Sequence, residues 1–162
     1  MVADTTPLLY LARIGHLDLL RDLYSSVVVP RAVWAELVEA RPEAPGVPTL
    51  LAATWIEVDR TADASPVARE LSLILDGGEA SAIALAIARR ADLLLIDEHD
   101  GRRAATARGL RVRGTVGVLV SARVQGKLPS LRPALDVLLG AGFRLGRALY
   151  LDALASVGEE EG

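Results

Sequence analysis

Four acidic residues, Asp4, Glu36, Glu79 and Asp97, stand where carboxylates from distant parts of the chain could meet. Asp4 and Asp97 each close a short apolar run, Met1–Ala3 and Leu93–Ile96. In an open parallel sheet, groups just past the carboxyl ends of the strands face a common crevice. Glu98 and Asp100 follow Asp97 at once, and Glu36 and Glu79 fall in helical stretches able to lean over the same edge. Oxygen donors of this kind suit a hard divalent cation. Mg²⁺ in particular is held by a few carboxylates and keeps several waters. One or two such ions can orient an attacking water, lower its pKa and neutralise charge on a phosphodiester. The chain has no cysteine, which excludes disulfides, thiolate metal sites and cysteine nucleophiles. Its two histidines, His16 at a helix start and His99 close to Asp97, read as polar surface residues.

Each acid also has a purely structural use. Asp4 and Thr6 can bond backbone N–H groups in a helix-start turn. Glu36 suits an exposed helix position. Glu79 lies in a first helical turn, where negative charge favours the dipole. Asp97, Glu98 and Asp100 could cap the helix that follows them. Spacing alone leaves both uses open.

The elements that must position these residues are legible from periodicity. Met1–Asp4 reads as a strand. Thr6 followed by Pro7 then reads as an N-cap with proline at the first helical position, opening a helix through Ala12. Gly15 breaks it, and residues 16–24 form a second helical piece. Val27–Pro30 is a short buried strand. Residues 31–40 carry Ala32, Val33, Leu37 and Ala40 on one helix face. The proline-rich 41–48 stretch reads as a loop, and 55–58 as a strand. Residues 65–75 and 78–90 read as helices separated by Asp76-Gly77-Gly78. Leu93–Ile96 is a strand, 98–108 a helix closed by Gly109, and 111–113 a short strand. Helices over 116–125, 131–139 and 148–157 complete the chain. Strands alternating with helices predict an α/β fold: a mostly parallel sheet between two helical layers.

The 162 residues fit one domain, expected over 1–158, with Glu159–Gly162 as a frayed acidic tail. Apolar residues make up 51% and aromatics only 4%, so the core is aliphatic. No apolar run reaches the roughly 18 residues of a membrane span. The longest candidate, 80–96, is interrupted by Arg89, Arg90 and Asp92. Asp4 and Pro7 interrupt any N-terminal leader, and the lack of cysteine fits a reducing cytoplasm. Charge is unevenly distributed. Residues 1–100 hold 8 Lys/Arg against 16 Asp/Glu, whereas 101–150 hold 10 Lys/Arg against Asp136 alone. A basic segment beside an acidic cluster is what a phosphate-binding rim around a carboxylate site would look like. Solvation of helix faces is the plainer use of the same arginines.

The opening VADTTPL resembles the N-terminal strand and Asp-x-Ser/Thr turn of PIN-domain nucleases. VVVPRAVWAELV resembles that family's second block, in which a strand and proline lead to a helix bearing an acid. The stretch from LDGGEASAIALAIARRADLLLIDEHDGRR through RGTVGVLV to GFRL resembles a compact prokaryotic PIN subfamily, and the likeness covers nearly the whole chain. The resemblance, closest in kind to the VapC-like ribonucleases, implies a cytoplasmic, single-strand-directed endoribonuclease using Mg²⁺ or Mn²⁺. Many relatives are dimeric toxins blocked by a small antitoxin protein. Carried over by position, Asp4 is the first metal carboxylate and Thr6 the hydroxyl residue that fixes its loop. Glu36 is the second acid, Glu79 the third, and Asp97 marks the last ligand region. Two departures matter: Glu79 replaces a shorter Asp, and Ile96-Asp97-Glu98 replaces Thr-x-Asp. The fourth carboxylate therefore stays open among Asp97, Glu98 and Asp100. Arg102 and Arg103 are the expected phosphate contacts.

The runner-up is a catalytically inactive PIN-fold module that binds nucleic acid. A flavodoxin-like phosphoacceptor domain would want a lysine closing a late strand, and Lys127 follows a helical run instead. A haloacid-dehalogenase-like phosphatase would need an acid at position 6, where Thr6 stands. A dinucleotide-binding fold would need a glycine-rich turn after the first strand, where Asp4-Thr5-Thr6-Pro7 stands. In the C-terminal helices Leu135, Leu138, Leu139, Leu149, Leu151 and Leu154 read first as core and second as part of a homodimer face.

Overall fold

The computed structural model describes residues 1–160. Its strands are β1 (Val2–Ala3), β2 (Val27–Pro30), β3 (Ile56–Asp59), β4 (Leu94–Leu95) and β5 (Val112–Arg113). They form one sheet in the order β3-β2-β1-β4-β5, and every neighbouring pair is parallel. Parallel neighbours need long crossovers, which helices supply. In chain order these are α1 (Thr5–Arg13), α2 (Asp18–Leu23), α3 (Arg31–Trp34), α4 (Val47–Ala52), α5 (Pro66–Leu71), α6 (Gly77–Ala88), α7 (His99–Ala107), α8 (Thr115–Val124), α9 (Leu131–Gly140) and α10 (Arg147–Ser156).

The pleat divides the strand residues between two cores. Ala3, Val27, Val29 and Leu95 join one with α1, α2, α4, α8, α9 and α10. Val2, Val28, Leu94 and Ile96 join the other with α5, α6 and α7. Burial on both faces is why these runs read as unbroken apolar stretches. The result is the three-layer α/β/α arrangement that the alternation of elements predicts. Helix α6 is buried from Gly78 through Ala86, because its Ala-rich surface can lie flat on the sheet.

Three local expectations are corrected. The 41–48 stretch is not all loop, since α4 begins at Val47 and buries Val47 and Leu50 completely. Gly46 opens it at φ +92, where an added Cβ would lie 3.0 Å from the Arg13 backbone nitrogen, so only glycine lets α4 approach α1. The helix expected over 31–40 changes winding, with α3 passing into a π turn over Ala35–Glu39. Glu159 is not frayed: its carboxylate accepts bonds from Arg123, Ser130 and the backbone of Leu131 and Arg132. Glu161 and Gly162 of the expected tail lie outside the described residues. Of the C-terminal leucines, Leu135, Leu138 and Leu154 are core, while Leu139 and Leu149 are exposed. Among the described residues no helix is long and apolar enough to cross a membrane.

Candidate active site

β1 lies between β2 and β4, so the crossovers leave it in opposite directions. The crevice past the ends of β1 and β4 is the switch point where open α/β sheets bind ligands. Asp4 follows β1 directly, and its backbone N–H donates to the Leu95 carbonyl at 2.9 Å. The Asp4 side chain is 3% exposed. It occupies the N-cap position of α1 without the side-chain cap bond to the second or third helical N–H that the capping use would make. Its Oδ1 is buried with no hydrogen-bond partner.

Glu79 serves two purposes at once. Asp76 and Glu79 form a capping box at the start of α6. Asp76 Oδ1 accepts from the Glu79 backbone at 2.8 Å, and Glu79 Oε2 accepts from the Asp76 backbone at 3.4 Å. The other oxygen, Oε1, is buried and unpartnered. Glu36 sits on the π turn, a distortion frequent at functional sites. It is exposed, and its Oε2 accepts from Thr5 Oγ1 at 3.2 Å. The hydroxyl bonded to an acid is therefore that of Thr5, not of Thr6.

A cleft of about 430 Å³ brings together Asp4, Glu36, Asp76, Glu79, Glu98 and Asp100, with Thr5 and Thr6 on its wall. Asp97 is absent from that wall. Its Oδ1 accepts from the Thr115 backbone at 2.8 Å and its Oδ2 from Thr115 Oγ1 at 2.6 Å, so Asp97 caps α8. Glu98, at the N-cap of α7, makes no side-chain cap bond.

A family model described as a PIN domain matches residues 1–159. The chain belongs to the PIN-domain family. PIN domains are generally nucleases, act on nucleic acid and typically use divalent metals. No curated protein and no solved structure shows significant similarity to the chain.

The electrostatics of this PIN domain's cleft are those of crowded, dehydrated carboxylates. Burial, then the charges of Asp76, Glu79 and Glu36, push the Asp4 carboxyl up to about 8, against a bond from the Thr5 backbone. Burial, then Asp76, Glu98 and Asp100, push Glu79 up to about 7. Burial also raises Asp97, while its two bonds from Thr115 and the nearby Arg102 oppose the shift.

The donors fit a hard cation: they are carboxylate and hydroxyl oxygens except for the exposed His99, and two of the buried oxygens lack any partner. The space fits too. An added Cβ on Gly101 would stand 2.7 Å from Glu79 Oε1, and one on Gly78 would stand 3.0 Å from Glu36 Oε2 and 3.4 Å from Asp76 Oδ1. Glycine at both positions leaves the acids room. Among the described residues, no three acids or histidines are already drawn together as a ligand set.

Around it, Arg102 Nη1 donates to the Ile96 carbonyl at 3.1 Å and braces the strand end. Arg103 is exposed and lines, with Arg102 and Arg108, a groove of about 780 Å³ that shares Ile74, Leu75, His99 and Asp100 with the acid cleft. His99 is exposed, its Nδ1 3.3 Å from Asp100 Oδ1. His16 is half-buried, and burial lowers its pKa. Sequence reasoning missed Thr5, Asp76, Gly78, Gly101 and Thr115. Only Asp76 had a signal, an acid three residues before Glu79 at a helix start.

Proposed function

We propose that this PIN domain is a metal-dependent ribonuclease hydrolysing phosphodiester bonds within single-stranded RNA. The observation that carries the proposal is the pair of unpartnered buried oxygens, Asp4 Oδ1 and Glu79 Oε1, on carboxylates that line one acidic cleft at the switch point. Asp4, Glu36 and Glu79 would hold Mg²⁺ or Mn²⁺, with Glu98 or Asp100 as the fourth carboxylate. Such an ion supplies charge to neutralise a phosphodiester and lowers the pKa of a water beside it. Asp97 is a positioning residue that pins the start of α8 beside the cleft through Thr115. Arg103 meets phosphate groups of the strand, and Arg102 holds the backbone from which Asp97 and Glu98 project. The deep placement of Asp4 and Glu79 favours a strand able to bend into the recess over a paired duplex. RNA as the strand follows from the resemblance of the motif blocks.

The test is cleavage of a labelled single-stranded RNA with and without Mn²⁺. Cleavage should require the metal. It should fall in Asp4→Asn and Glu79→Gln by more than the roughly 10–100-fold that even outer-shell partners of a metal cost. Asp97→Asn, which keeps an oxygen for the Thr115 backbone, should lose less than either. The second reading, an inactive nucleic-acid-binding module, is favoured by the open spacing of the acids. It replaces the first if folded protein cuts no RNA and calorimetry finds no bound Mn²⁺.

A further inference from the structure

Next to the acid cleft is a cavity of about 350 Å³ lined by Thr6, Tyr10, Asp97, Glu98, Phe143 and Arg144. Thr6 and Glu98 line both spaces, so the two adjoin across a shared wall. Phe143 and Arg144 also line a larger cavity of about 630 Å³. Both residues come from the turn between α9 and α10, which Gly142 makes at φ +91. Phe143 is the single phenylalanine of the chain, and it is only partly buried. It packs against the edge of the larger core and leaves part of its ring uncovered.

The ring is held from behind. Its centroid lies 5.0 Å from that of Tyr10, with the planes at 84°. Tyr10 Oη donates to the Gly142 carbonyl at 3.2 Å, and the Arg13 guanidinium sits 5.3 Å from the Tyr10 ring centroid. Arg144 is exposed and, among the described residues, makes no hydrogen bond, ion pair or ring contact. An aromatic wall and an uncommitted cation therefore stand together beside the carboxylates. None of the metal-holding roles uses them.

We propose that Phe143 and Arg144 form a nucleotide subsite, holding the unpaired nucleotide next to the scissile phosphate. The proposal rests on the ribonuclease reading and deepens it. The base enters the 350 Å³ cavity and stacks against Phe143. Its phosphate stays at the rim with Arg144, away from Asp97 and Glu98 on the cavity wall. Every base has a π face, so such a shelf accepts any sequence but only an unstacked base. The subsite thereby selects single strands without reading sequence, and the arginine positions the backbone.

The test is fluorescence anisotropy of a fluorescein-labelled single-stranded RNA dodecamer of mixed sequence. It is made in the full chain carrying Asp4→Asn, so that the strand is not cut. Adding Phe143→Leu, which keeps apolar bulk over Tyr10, should weaken binding roughly 5- to 100-fold. Phe143→Trp should restore it, which a merely structural role would not predict. Arg144→Gln should flatten the slope of log affinity against log salt by about one phosphate contact, and Phe143→Leu should leave that slope unchanged. Because Arg144 is exposed and has no partner among the described residues, its variant reports even if a change at Phe143 disturbs folding. Tight RNA binding that is indifferent to Phe143→Leu and Arg144→Gln overturns the subsite and leaves the ribonuclease reading standing. A parent chain that neither binds nor cuts RNA removes both.

Discussion

Burial and neighbouring acids hold the Asp4 carboxyl near 8, far above its ordinary 3.8. A raised carboxyl keeps its proton in the folded state after the unfolded chain has lost it. Its contribution to stability is complete below about 3.8 and is lost as the pH climbs through about 8. The metal-free cleft thus costs the fold stability at neutral and alkaline pH. Asp4→Asn mimics the protonated form at every pH. With metal chelated, it should raise Tm by about 3–8 °C at pH 8 and by little near pH 4. Excess Mn²⁺ should reverse the order, because only the parent gains from the ion. Differential scanning calorimetry at the two pH values checks this. A variant less stable than the parent at pH 8 without metal would mean that Asp4 is a satisfied structural group. At this scale the sequence revealed the acids by type, since Asp4 and Glu79 fall at a strand end and a helix start. It could not reveal that Asp97 turns away, because the partner that takes it, Thr115, is eighteen residues further on. Nor could it mark Gly78 and Gly101, whose value is the space left for Glu36 and Glu79.

Elements are joined at the far end of the molecule by Glu159, which follows α10. Its carboxylate takes the first backbone N–H groups of α9 and the Arg123 side chain of α8, binding three helices together. These bonds, led by the Leu131 backbone, hold the Glu159 carboxyl at about 2, against 4.5 ordinarily. A depressed carboxyl stabilises fully above about 4.5, and the effect fades as the pH falls through about 2. Glu159→Ala should therefore lower Tm by a few degrees at pH 7, a cap's worth of about 1–2 kcal/mol. The gap should close progressively between pH 4.5 and 2. A gap independent of pH would assign the loss to packing instead. β1, β2 and β4 were legible because each is an apolar run covered on both faces, and α6 because its Ala-rich run follows the Asp76-Gly77-Gly78 turn. α4 was hidden by the prolines and glycine before it, although Gly46 and Pro48 are themselves start signals. The π turn under Glu36 carries no pattern of its own. Ala32, Val33, Leu37 and Ala40 fit an ordinary helix equally well.

Across the whole molecule, the basic block of residues 101–150 does not fold into one patch. Arg108 pairs with Glu70, Arg123 with Glu159, and Arg113 donates to the Tyr24 hydroxyl. Of the others, Arg103 and Arg144 each stand in a space that shares lining residues with the acid cleft. The Arg103 groove shares Ile74, Leu75, His99 and Asp100 with it, and the Arg144 cavity shares Thr6 and Glu98. Charge counting along the chain showed that cations were plentiful beside the acids. Only the fold shows which are spent on ion pairs and which stand in spaces bordering the cleft. If the proposed strand runs through both spaces, it meets phosphate contacts on either side of the carboxylates and needs no free end to enter. This geometry predicts internal cleavage. A covalently closed single-stranded RNA circle, incubated with the protein and Mn²⁺, should be opened at a rate comparable with cutting of the linear strand of the same sequence. Both rates should fall steeply with added salt, because phosphate contacts release counterions. An intact circle beside a linear strand shortened nucleotide by nucleotide from one terminus would instead mean that one exit is closed in the working enzyme. The Arg103 groove and the Arg144 cavity would then not belong to a single path.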